Sequence, residues 1–121
     1  MGRDYYLGVD IGNTKLAFAL VEGDSRKFYT KEVVPTESYL GVKQALAKIE
    51  ENTKAMIERS PGTIKGIGIA FGGFVDITRT IGLSSPNFPG LRDVPVVSMI
   101  QKLAPGIPVV MDNDANVAGL G

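Results

Sequence analysis

Residues 5–21, YYLGVDIGNTKLAFALV, place an apolar strand, a glycine turn and a second strand around one acid, Asp10. Leu7, Val9 and Ile11, then Leu16, Phe18 and Leu20, alternate with the two-residue period of strands. Gly12 and Asn13 are the residue types that best tolerate positive φ at a tight tip, so a β-hairpin is predicted. An ionised carboxylate at the end of an apolar strand is costly unless something pairs with it, and a glycine turn brings backbone N–H groups close enough to hold an anion. Asp10 therefore has two readings: it hydrogen-bonds its own turn, or it serves a metal-phosphate site.

Composition narrows what else the chain can be. With 121 residues, 44% of them hydrophobic, there is enough for one compact domain with a core. Lys plus Arg equal Asp plus Glu at 13 each, so no overall field draws nucleic acid or an anionic membrane, and the expected partner is small. Cysteine and histidine are both absent, which excludes a disulfide scaffold, a His or Cys metal site and Cys-His or Ser-His-Asp catalysis within these residues. The opening MGRDYYLGVD has an acid where a signal peptide is apolar, and no apolar run approaches membrane length. A soluble cytoplasmic protein is expected.

Outward from the hairpin, residues 27–34 (KFYTKEVV) read as a third antiparallel strand stopped by Pro35. Thr36 or Ser38 is expected to cap a helix whose inner face is Val42, Leu46, Ile49, Thr53, Met56 and Ile57, ended by Ser60-Pro61-Gly62. Residues 64–71, IKGIGIAF, read as a central strand covered on both faces, running into Gly72-Gly73, where the backbone can bend and a ligand can approach its amides. A short strand pair at 74–83 and a Pro- and Gly-rich loop at 84–95 follow. Asp93 is expected to cap a second helix with Val97, Ile100 and Leu103 inward. Residues 107–111 make the last buried strand, which ends in the polar cluster Asp112, Asn113, Asp114 and Asn116. One of these suffices as a helix cap, so the surplus acids suggest a site. Strands joined through helices pair in parallel, which brings the corners at Asp10, Gly72 and Asp114 to one sheet edge.

Four motifs in order, LGVDIGNTK at 7–15, GIAFGGFVD at 68–76, SPNFPGLRDVP at 85–95 and PVVMDNDANVAGLG at 108–121, resemble the N-terminal domain of the ROK family of sugar kinases and sugar-responsive repressors. The resemblance implies an α/β, ribonuclease H-like (actin-like ATPase) domain: a mixed five-stranded sheet of order 3-2-1-4-5 with helices packed on it. Such a domain is half of an enzyme that closes on ATP and a sugar. Residues 1–121 would be that N-terminal domain, truncated, without its C-terminal partner. The family's first phosphate loop falls on Asp10, Gly12, Asn13, Thr14 and Lys15, with Asp10 working on Mg²⁺. Its sugar loop falls on Gly72 and Gly73, its sugar-binding asparagines on Asn87 and Asn113, and its catalytic base, also facing sugar, on Asp114. ATP and Mg²⁺ are the implied cofactors, a hexose or amino-hexose the implied substrate, and a homodimer the implied full-length state.

Departures bear on specificity. The family's usual Pro-Gly-Pro run reads Gly72-Gly73-Phe74 here, and its common Trp is Leu91. Its histidine-bearing sugar motif, cysteine zinc motif and second phosphate loop have no counterpart in these residues and are expected downstream. Lys15 and Asp76 are as readily structural as catalytic. Two other functions stay open: a sugar-sensing repressor without kinase activity, and a two-metal nuclease using Asp10, Asp76 and Asp114.

Overall fold

The computed structural model describes residues 3–12, 14–23, 25, 27–84 and 90–113. Three strands, β1 (Asp4–Ile11), β2 (Lys15–Glu22) and β3 (Phe28–Pro35), form the expected antiparallel meander. Helix α1 (Val42–Arg59) leads to β4 (Thr63–Phe71), which pairs parallel with β1. A small hairpin, β5 (Phe74–Val75) and β6 (Gly82–Ser84), precedes α2 (Val96–Leu103), and β7 (Val109–Asn113) pairs parallel with β4. The main sheet has the order β3-β2-β1-β4-β7. Counted over the strands of that sheet alone, this is the expected 3-2-1-4-5 order.

Alternation decides which face is covered. Leu7, Val9, Ile11, Leu16, Phe18, Leu20, Ile67, Ile69, Phe71 and Met111 share one core with Ala45, Ile49 and Met56 of α1 and Val96 and Ile100 of α2. Both helices therefore lie on the same side of the sheet. Phe18 and Phe71 are nearly fully buried in that core, each contributing on the order of 2–3 kcal/mol through removal of apolar surface from water.

Three local expectations are corrected. The strand at 64–71 is not covered on both faces among the described residues: Ile67, Ile69 and Phe71 are buried, whereas Gly68 is exposed and Gly66 and Ala70 are half-buried. Neither Thr36 nor Ser38 caps α1, which begins after Gly41 at φ 103 without a side-chain cap; Ser38 instead opens a 3-10 turn, Ser38–Leu40. Asp93 does not cap α2 either; it sits at φ 49, outside the extended conformation that an N-cap residue adopts, and Pro95 holds the cap position. On α2, Ile100 is fully buried and Val97 packs against the core as expected, and Val96 is a further buried residue of that face.

Candidate active site

Three strand ends meet at one edge of the main sheet, the carboxyl edge of its parallel strands. Ile11, Phe71 and Asn113 stand in register across β1, β4 and β7, so the row spans about 10 Å at the usual strand spacing. Gly12 and Gly72 follow this row directly, next to the Asn113 end of β7, and the Gly72 N–H donates to the Ile11 carbonyl at 2.8 Å. Open α/β sheets place ligands at this edge.

The first corner is held by a residue assigned elsewhere from sequence. Thr36, fully buried, donates its hydroxyl to the Gly12 carbonyl at 2.7 Å, and its N–H donates to the Thr14 carbonyl at 3.0 Å. Gly12 N–H closes the turn onto the Lys15 carbonyl at 3.1 Å. Glycine is required here by close approach and not by positive φ: a Cβ at Gly12 would lie 2.8 Å from the Lys15 carbonyl oxygen. Thr14 and Lys15 are exposed, as is Asp10 on the strand before the turn. A tight turn with no room for a Cβ, beside an exposed carboxylate, suits backbone amides facing phosphate with a hydrated divalent cation alongside.

The face left uncovered among the described residues carries a second row at the same edge. Asp10 and Asp112 flank Ala70 in register, on the side of the sheet away from the helices and about 10 Å apart. They line one groove of about 620 Å³, with Gly8, Gly68, Ala17 and Ala19 as its floor and Lys31 and Arg79 at its margins. The Arg79 guanidinium lies 3.7 Å from an Asp112 carboxylate oxygen. Sequence reasoning counted Asp112 among surplus acids without a role and passed over Arg79, because their pairing joins residues of two elements separated by α2.

Asp76 proves to be a turn staple. Its Oδ1 accepts the N–H groups of Thr80 at 2.8 Å and Ile81 at 2.9 Å, while Oδ2 accepts the Thr78 N–H at 3.3 Å and the Thr78 hydroxyl. These bonds, the Thr78 hydroxyl first among them, pull its pKa down to about 2, so the staple is ionised throughout the neutral range. Its oxygens are committed to their own loop, which argues against the role of metal ligand that a nuclease would require. Asn13, Asn87 and Asp114 lie outside the described residues. Of the other expected site residues, Asp10, Gly12, Thr14, Lys15, Gly72, Gly73 and Asn113 all come to the carboxyl edge or the strand ends beside it.

A mixed β3-β2-β1-β4-β7 sheet with its candidate site at these corners defines a ribonuclease H-like domain of the actin-like ATPase kind. The chain belongs to the ROK family, which it matches over residues 6–121. It is 29% identical to a glucokinase of Halalkalibacterium halodurans, covering 100% of this chain and 37% of that protein. It is 30% identical to an N-acetylmannosamine kinase of Salmonella typhimurium, over 93% of this chain and 36% of the relative. A ROK family glucokinase from Streptomyces griseus, solved with glucose and AMPPNP, superposes with a TM-score of 0.74 at 28% identity, covering 95% of this chain and 35% of that one. The chain therefore spans about a third of the length of the relatives it matches. Among the described residues, no helix is long and apolar enough to cross a membrane.

Proposed function

We propose that this chain is the N-terminal domain of an ATP-dependent kinase of a hexose or amino-hexose, completed by a C-terminal domain. The observation that carries this reading is the register of Ile11, Phe71 and Asn113, which brings the acid hairpin, the double-glycine corner and the polar end of β7 to one edge. The glucokinase and N-acetylmannosamine kinase relatives support the substrate class, and their greater length supports a second domain.

Phosphoryl transfer needs a positioned acceptor oxygen, neutralised phosphate charge and one proton acceptor. Asp114 takes the proton of a sugar hydroxyl as that oxygen forms its bond to the γ-phosphorus of ATP and the bond to the ADP oxygen breaks. Asn113 and Asn87 orient the ring through neighbouring hydroxyls, and Gly72 and Gly73 let the sugar approach the backbone. Gly12, Asn13, Thr14 and Lys15 face the phosphates. Asp10 would hold Mg²⁺ through water, and the cation, when bound, neutralises charge on the phosphate oxygens. The protein would work in the cytoplasm as a homodimer, and any zinc site would lie outside these residues.

The test is steady-state phosphorylation of glucose and N-acetylmannosamine by the two-domain protein and its Asp114→Asn variant. Asparagine keeps the shape of the base but cannot hold the proton, so turnover is expected to fall roughly 100- to 10,000-fold with sugar KM little changed. Equal turnover in the variant would remove Asp114 from the mechanism.

A further inference from the structure

The β5–β6 hairpin carries the Gly72–Gly73 corner at one end and is wound around Asp76 at the other. Besides accepting four bonds, Asp76 donates its N–H to the Ile81 carbonyl at 3.1 Å, and its own carbonyl accepts the Arg79 N–H at 3.0 Å. The tip is therefore a closed, hydrogen-bonded loop, and Arg79 sits within it at φ 58. That is a left-handed position, which glycine or asparagine occupies with least strain. A long cation placed there is sterically the poorer choice, and what it adds is a side chain that reaches out of its own loop to Asp112 on β7. Asp112 is the residue before Asn113, and its neighbour in register on β4 is Ala70, two residues before Gly72.

We propose that Arg79 and Asp112 are positioning residues, a clamp that ties the β5–β6 hairpin to the end of β7. The glycine corner and the asparagine corner are thereby held as one unit. The inference rests on the sugar-site reading above and deepens it, since neither residue touches sugar in that reading. The clamp sets the distance between the two loops that do, so its loss widens the sugar pocket without removing any group that performs chemistry. The pair is partly exposed, with the arginine side chain 63% accessible and the aspartate 17%, so the effect belongs to sugar affinity and is moderate in size.

Two readouts test this. In the two-domain protein, Arg79→Gly relieves the left-handed backbone while removing the charge, so a misfolding explanation is avoided. Arg79→Gly and Asp112→Asn should each raise sugar KM about three- to tenfold with kcat within about twofold, the double variant should be no worse than either single, and Arg79→Lys should recover most of the loss. The second readout is amide hydrogen exchange at Asp76 and Ile81, which is independent of catalysis. Asp112→Asn lies on another element, yet it should speed exchange at both amides if the hairpin is held from β7. Unchanged exchange overturns the clamp. Faster exchange with unchanged sugar KM, or additive losses in the double variant, overturns its service to the sugar site. A wild-type protein that phosphorylates neither sugar would instead be the failure of the kinase reading, and faster exchange in Asp112→Asn would then still support the clamp.

Discussion

The two faces of the sheet are built from different residues on the same strands. Toward the helices stand Leu7, Val9, Phe18, Ile69 and Phe71, each at most 3% exposed; away from them stand Gly8, Ala17, Ala19, Gly68 and Ala70. The first set interlocks with Ile49, Met56 and Ile100, whereas the second forms a shallow floor between larger residues such as Lys31 and Val110. The helix-covered face carries the stability of the domain. The small-residue face leaves room beside Asp10, which puts the carboxylate of the candidate phosphate loop on the side where bulk is least.

Truncating the covered face should cost most. Phe18→Ala empties a fully buried position and is expected to lower stability by about 3–5 kcal/mol in urea unfolding. A loss under about 1 kcal/mol would mean that the helices do not pack as described. Gly82→Ala probes the same core from the hairpin, because a Cβ there would sit 2.6 Å from the Phe71 ring; about 1–3 kcal/mol should be lost by the same measurement. Gly68→Val, on the other face, should move stability least and in the opposite direction. Its Cβ meets nothing within 4 Å, and valine gains β-propensity over glycine, so a gain of up to about 1 kcal/mol is expected. A clear loss on Gly68→Val would show that this face is packed in solution and would end the contrast.

That contrast also explains how far the chain could be read before it was seen folded. Strict alternation at Leu7, Val9, Ile11, Leu16, Phe18 and Leu20 fixed the hairpin and its buried side, because branched side chains on one parity leave no other assignment. IKGIGIAF misled for a related reason. Glycine and alanine count as apolar, so β4 looked buried on both faces although one parity carries almost no side chain. Register between distant strands was legible only through topology rules, which gathered the corners at Asp10, Gly72 and Asp114; the strand ends at Asp10, Gly72 and Asn113 do share one edge, and Asp114 lies outside the described residues. Pairings set by tertiary contact were not. Thr36 resembles a helix cap locally and becomes a hairpin staple only because β3 returns its end to Gly12. Arg79 acquires its meaning from Asp112, which nothing nearby in sequence announces.

The parallel pairing of β1 with β4 also dictates an order of assembly. β1, β2 and β3 are consecutive and can zip together from near neighbours, but Asp4 waits for Thr63 before the other side of its strand is filled, and Ile67 in turn waits for Val109. Contacts between residues so far apart in sequence form slowly, since a long loop must close before any hydrogen bond repays it. On a ribosome, the meander can therefore form while one edge of β1 still lacks its neighbour, and the edge bearing all three corners is completed only when β7 has been made. The edge that carries the candidate site is thus expected to be the last part of the domain to fold.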